Sequence, residues 1–275
     1  MHKLSLGIVS DELSPDFGEA ARFAVEWGLS IVELRVLKTG RIPNVDKREL
    51  DEVLHIVKTN HLTVSALSPG IFKHSLSAAA RLEHELTNDL PRTLDLARQF
   101  GAPIVIVFGF QREVNEPSDN LHRATDLLRR AAEMAESAGI TLAVENEPGF
   151  WCDSGANTAQ LIDAVGRPSL RANWDPCNGF GTSESPFPNG YESIKRFIAN
   201  IHAKDTKKGA TIECVPIGEG AIDWRGQLEA IVRDRVVNHV TIETHSLPLV
   251  EKSKRNVEIL RSYLKEIESN QGIPL

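Results

Sequence analysis

The stretch TLAVENEP, Thr141 to Pro148, decides how the rest of the chain is read. Residues of strand character, Thr141 to Val144, run straight into a carboxylate, Glu145, and then into Asn146, Glu147 and the chain-breaking Pro148. Three further β-rich runs end the same way: LRANWDP carries Asp175, NIHAKD carries His202 and HVTIETH carries Glu243. Ligand-type residues at the ends of four successive strands, in the order Glu, Asp, His, Glu, are the main functional statement of the sequence.

Outward from these runs the chain alternates between two periods. Apolar runs bounded by breakers predict strands at 4–9, 31–35, 62–67, 103–108, 141–145, 170–174, 200–204 and 239–243. Between and after them, apolar residues at helical spacing predict helices at 17–27, 47–60, 78–100, 118–138, 158–165, 191–198, 224–233 and 252–268. Pro91 should kink or divide the third helix, while Ser118 and Asp223 are cap candidates. The run PIVIVF, 103–108, is the most continuously apolar, as expected of a strand buried on both faces of a parallel sheet.

Strand then helix, eight times over, predicts an α/β fold in which a parallel sheet closes into a (β/α)8 barrel, for which roughly 250 residues is typical. The 275-residue chain is accordingly read as one domain, 1–275. An open doubly wound sheet is the alternative, but it wants a G-x-G-x-x-G turn after its first strand, and Gly7-Ile8-Val9-Ser10 does not supply one. The segment NGFGTSESPFPNG, 178–190, reads as a loop over the barrel mouth.

Composition bounds the function. Hydrophobic residues at 41% and charged residues at 25% support a large core with a solvated exterior. A net charge of -7, from 31 basic and 38 acidic residues, argues against a protein that holds a nucleic-acid backbone. The start, MHKLSLGIVSDELSP, carries no long apolar signal region, and no run approaches the ~20 apolar residues of a membrane helix, so the expected location is cytoplasmic. Three cysteines, Cys152, Cys177 and Cys214, without a C-x-x-C pair read as reduced thiols.

In such a barrel all eight strands end on one face, so Glu145, Asp175, His202 and Glu243 should converge. Taken singly, a carboxylate after a strand is often a cap and a lone His a satisfied core residue; four in succession outweigh that. Three carboxylates and an imidazole make an oxygen-rich site suited to Mn²⁺, Mg²⁺ or Co²⁺ with positions open for substrate oxygens. A structural zinc site would want thiolates. With a chelated keto-hydroxy substrate, one glutamate would take a carbon-bound proton and the other return it, giving epimerisation or aldose-ketose isomerisation through an enediolate.

At V-E-N (144–146), W-D-P (174–176), H-A-K-D (202–205), I-G-E-G-A-I-D-W (217–224) and I-E-T-H (242–245) the chain resembles the xylose isomerase-like TIM barrel superfamily. The likeness is to its sugar phosphate isomerase/epimerase group, which includes ketose 3-epimerases, hydroxypyruvate isomerase, inosose dehydratase and endonuclease IV. The resemblance implies metal ligation by Glu145, Asp175, His202 and Glu243, proton transfer by Glu145 and Glu243, and a divalent ion, Mn²⁺ first, with Mg²⁺, Co²⁺ or Zn²⁺ as the other candidates. It departs at two positions: Asn178 stands where the epimerases commonly have a substrate-contacting His, and Lys208 where they have an Arg. Endonuclease IV fits less well, because its D-x-H before the I-G-E-G-like segment is replaced by Ile212 and Cys214 and its histidines after strands three and four are missing.

Other residues near the expected mouth have two readings each. Lys204 would neutralise an oxyanion or pair with Asp205 or another neighbour. Arg35 and Glu33 would bind substrate or pair with each other across the barrel. His245 would support a ligand or touch substrate, and Trp151 with Phe150 would wall a sugar face or anchor a loop. Lys207, Lys208 and Gly209 would hold a phosphate or form a solvated turn. The partner expected is a small sugar, polyol or sugar phosphate, with no nucleic acid, no membrane, and a homo-oligomer left open. An inosose-type dehydratase shares the first proton abstraction, and a non-catalytic carbohydrate-binding subunit is the reading from another class; the presence of both glutamates opposes the latter.

Overall fold

Every residue of Ile104–Phe108 is buried, because one side of the strand faces the barrel interior and the other faces helices. Ile104 and Ile106 join Ala66 and Ala143 in a small cluster separate from the main core, whereas Val105 and Val107 belong to that main core. Two-sided burial explains the continuous apolar run. The protein is described by a computed structural model covering residues 4–209 and 211–270.

The strands are β1 (Ser5–Val9), β2 (Ile31–Leu34), β3 (Thr63–Leu67), β4 (Ile104–Phe108), β5 (Thr141–Glu145), β6 (Leu170–Trp174), β7 (Ile198–Ala203) and β8 (His239–Ile242). Each pairs in parallel with the next, and β8 closes on β1 with Ser5 opposite His239 and Ile8 opposite Ile242. The result is a closed eight-stranded barrel with strands in chain order, as the alternation predicts. An open sheet is excluded.

The helices are α1 (Phe17–Glu26), α2 (Lys47–Thr59), α3 (79–100), α4 (Asn120–Ala138), α5 (Gly155–Val165), α6 (Tyr191–Ile194), α7 (Trp224–Asp234) and α8 (Leu249–Asn270). Asp16, Ser154 and Asp223 cap α1, α5 and α7 by accepting backbone N–H bonds, and left-handed Gly101, Gly139 and Gly166 terminate α3, α4 and α5. Among the described residues no helix is long and apolar enough to cross a membrane.

Several boundaries differ from expectation for local reasons. Pro91 divides α3 through the turn before it: Glu85–Asp89 widens to π geometry between the α segments Ala79–His84 and Leu90–Phe100, so the ring meets no i−4 carbonyl in α register. Ser118 makes no cap, and α4 starts after Asp119, whose side chain accepts no capping bond. α5 begins earlier than 158, because Ser154 accepts from Asn157 N. Helix 191–198 is cut short: Lys195–Phe197 tightens to 3₁₀ and Ile198 already opens β7.

The 178–190 segment is tied down beside α5 by Glu184, whose carboxylate accepts from Gly155 N at 2.7 Å and Ala156 N at 3.2 Å. Carboxylate at a helix N-terminus satisfies two of its free donors. Gly155 is required there, since a Cβ would stand 2.2 Å from Gly190 O.

Candidate active site

Glu145 is the last residue of β5, Asp175 follows β6, His202 lies in β7 and Glu243 follows β8. All four are buried, and one ligand atom from each lies within 4.8 Å of the others. His202 Nδ1 stands 3.7 Å from Glu145 Oε1 and 3.5 Å from Glu243 Oε2. The strand ends therefore bring the four expected ligands into one cluster.

The backbone around them is clamped by side chains. Asn146 donates to Asp175 O at 2.7 Å and accepts from Asp175 N at 2.8 Å, locking β5 to β6 at the mouth. Asp175 Oδ1 accepts from Cys177 N and Asn178 N, which fixes the carboxylate. Its Oδ2 is buried and accepts no hydrogen bond; toward Lys204 Nζ, 2.8 Å away, it makes a charge contact. A buried carboxylate oxygen with no hydrogen-bond donor aimed at it, beside two glutamates and an imidazole, is a donor that a divalent cation would use, and the donor set fits Mn²⁺, Mg²⁺ or Zn²⁺ chemistry.

His202 is held from behind. Its Nε2 lies 2.9 Å from Glu33 Oε2, and Asn200 Nδ2 links Glu33 to Asn173. With Nε2–H given to Glu33, Nδ1 faces the cluster, where a bound cation would displace its proton and take the lone pair, while Asn173 Nδ2 stands 3.2 Å from that nitrogen.

Burial pulls the His202 imidazole down, but the carboxylates of Glu33, Glu243 and Glu145 overcome it and hold the ring well above its usual range. Burial likewise opposes the Lys204 ammonium, and Asp175 and Glu243 outweigh it, keeping the group firmly charged. Glu243 runs the other way: against burial, Lys204 and His202 hold its carboxyl well below the carboxylate norm. Glu145 is lowered by His202 against burial, while Asp175 is raised by burial, with the Glu243 and Glu145 charges adding to it. Glu243 has Arg35 as well as Lys204 against it, whereas Asp175 has Lys204, and the two shift oppositely. Excess negative charge remains for a cation to neutralise.

Above the cluster opens a cavity of about 310 Å³ whose walls include Arg35, Arg41, Ser68, Lys73, Phe108, Glu147, Lys204 and His245, with Glu145 and Glu243 at its floor. Arg35 reaches Glu243 Oε1 at 2.5 Å, Glu12 at 2.7 Å and Asp11 at 2.9 Å. Glu147 is pushed up to about 7 by burial and by the charge of Glu145. His245, half-exposed, lies 3.5 Å from Glu12 and 3.7 Å from Glu243.

Not every expected contact is present. Arg35 and Glu33 do not pair: Glu33 points to His202, and Arg35 to Glu243 and the β1 end. Lys204 binds Asp175 and Glu243 instead of Asp205, whose carboxylate gathers the N–H groups of Thr206, Gly218, Gly220 and Ile222. Asn178 Nδ2 faces Glu145 Oε1 at 3.2 Å and Asn146 O at 3.0 Å. Trp151 sits under Arg112, 4.4 Å from its ring centroid, and lines no part of this cavity. Phe150 packs behind Phe108, which forms the apolar wall instead. Lys208 is exposed and Lys207 pairs with Glu213, and neither lines this cavity.

Asp11, Glu12, Arg41 and Lys73 carry no weight in the sequence reading. The first two follow β1 and obey the same strand-end rule as the four ligands, so the sequence carries their signal.

Known proteins resemble the chain at two levels. A 2-epi-5-epi-valiolone 7-phosphate 2-epimerase from Actinoplanes sp. is 32% identical over 118 residues, 42% of this chain and 41% of the relative, so the match spans about two fifths of that protein. A D-tagatose 3-epimerase-like protein superposes with a TM-score of 0.80 at 19% identity, covering 97% of this chain and 99% of the other. A "probable 3-DHS dehydratase" from Bacillus anthracis gives 0.76 at 19% identity, covering 94% and 98%. The structures establish the fold, and the sequence model described as xylose isomerase-like TIM barrel matches residues 21–264. The chain belongs to the xylose isomerase-like TIM barrel family.

Proposed function

We propose that the protein is a divalent-metal-dependent isomerase or epimerase of a small keto-sugar, keto-polyol or its phosphate. The observation that carries this reading is the placement of two glutamates, from β5 and β8, around one cavity with Asp175 and His202 between them. The partial relative named as a 7-phosphate 2-epimerase supports the same class.

A divalent ion held by Glu145, Asp175, His202 and Glu243 would supply Lewis-acid polarisation of a substrate carbonyl. The chain's own residues do the rest. Glu145, its Oε1 fixed by the Asn178 amide, is placed to take or return a carbon-bound proton from one side of the cavity. Glu243, held at Oε1 by Arg35 and at Oε2 by Lys204 3.0 Å away, faces the same space from β8 and serves the opposite transfer. Lys204, itself buried in the cavity wall, would keep a positive charge beside the position where an enolate oxygen develops.

The test is solvent deuterium incorporation into keto-sugars, inososes and their phosphates, followed by NMR with added Mn²⁺. Glu145→Gln and Glu243→Gln should each abolish exchange while circular dichroism stays native. Unchanged exchange in both variants would overturn the two-base reading.

A further inference from the structure

Four cationic side chains surround the cavity, and two are fully engaged: Arg35 by Asp11, Glu12 and Glu243, Lys204 by Asp175 and Glu243. Arg41 is different. Among the described residues it makes no ion pair; its Nε donates to Ser68 O at 3.2 Å, its Nη2 lies 3.5 Å from Ser68 Oγ, and Nη1 has no acceptor. Burial and the adjacent Arg35 charge both work against its cation, and the more distant carboxylates of Asp11, Glu145 and Glu243 offset them only in part. A half-buried guanidinium whose counter-charges stand beyond ion-pair distance costs free energy that a bound anion would recover.

The seat for this guanidinium is built. Arg41 lies in a two-stranded ribbon after β2, where Val36–Leu37 pairs with Gly40–Arg41, and it packs onto the segment after β3. A Cβ on Gly70 would stand 3.0 Å from Arg41 Nε and 3.2 Å from Cζ, so the missing side chain is what lets the fork lie there. Gly70 also has φ +79°, a conformation other residues rarely adopt. Three residues on, Lys73 stands over the Phe108 ring at 4.0 Å and reaches Glu147 only at 3.9 Å, leaving its ammonium free to turn to a ligand.

We propose that Arg41 and Lys73 form an oxyanion subsite on the β2–β3 side of the mouth, taking the phosphate or carboxylate of a substrate whose keto end reaches Glu145 and Glu243. The identity of that reacting end rests on the isomerase or epimerase reading; the anion site does not. Arg41 supplies a planar fork for two oxygens, and Lys73 a mobile point charge. The basic turn at Lys207 and Lys208 then has no part in holding the anion. An uncharged sugar would leave Arg41 uncompensated and bind more weakly.

The experiment is calorimetric titration of the Mn²⁺-loaded protein with inorganic phosphate and, separately, with propionate. Wild type should bind one of them saturably; Arg41→Met should weaken it about tenfold or more, and Lys73→Met a few-fold, the loss of charge-assisted hydrogen bonds. Arg41→Lys should fall between, since it keeps the charge without the fork. Loss of phosphate binding assigns a phosphate, and loss of propionate binding a carboxylate. No saturable binding of either, or binding that all three variants leave unchanged, overturns the subsite. Lys73 is exposed, so its variant folds regardless of Arg41. Deuterium exchange measured alongside separates the two readings: exchange absent in wild type with Arg41-dependent anion binding sinks the isomerase reading and leaves the subsite standing.

Discussion

Glu33 and His202 meet inside the barrel, Oε2 to Nε2 at 2.9 Å, although they are 169 residues apart in sequence and come from β2 and β7. The β2–β3 pairing slips between Val32 and Glu33, and the β6–β7 pairing slips between Ala172 and Asn173. Both slips precede a residue of the His202 network, as bulges do where a side chain must be aimed.

If Glu33 fixes the His202 tautomer, Glu33→Gln should lower divalent-metal affinity about 10- to 100-fold with the four ligands intact. Competition with a chromogenic chelator measures this, and affinity equal to wild type would show that Glu33 only fills space.

Asp175→Ala and His202→Ala each remove one donor from a cluster whose ligand atoms lie within 4.8 Å. Both should lower the metal content of the purified protein, read by elemental analysis, while circular dichroism retains the barrel signature. Full metal content in both would place the ion elsewhere.

Lys204 compensates two buried carboxylates at 2.8 and 3.0 Å. Lys204→Met should destabilise the chelator-treated protein by about 3–5 kcal/mol, because it leaves buried charge uncompensated. Added Mn²⁺ should restore part of that loss, since the ion supplies the missing positive charge. A melting temperature of the variant that does not respond to metal would contradict this account.

Asp234, hydrogen-bonded by Arg233, Lys195 and Tyr191, is held down to about 2, mainly by the Arg233 bond. A folded-state value below the unfolded one means that its stabilisation is fully present above about pH 4 and is lost as pH falls toward 2. Arg233, the main partner, is exposed to solvent, and screening keeps the effect small. Asp234→Asn should melt below wild type at pH 6, and the gap should close as pH falls from about 4 toward 2 in thermal scans, the window between the two values. A gap that widens on acidification would reverse the sign.

The barrel was legible because each strand of a closed parallel sheet is buried on both faces and each covering helix on one, so periods of apolar residues encode the layers directly. The four ligand candidates were legible for a related reason: strand ends share one face, and a polar residue ending an apolar run stands out. Helix ends were less so, since Ser154, Asp119 and the π turn before Pro91 answer to bonds two to four residues away.

What tertiary structure alone decided is pairing. That Glu33 belongs to His202 and not to Arg35, that Lys204 bridges Asp175 and Glu243, and that Arg41 lies over Gly70 with no carboxylate of the described residues at ion-pair distance are relations between different strands and loops. Periodicity reports which face a side chain takes, but not which neighbour it meets there. That is set by barrel register, by bulges, and by the competition of buried charges for too few counter-charges.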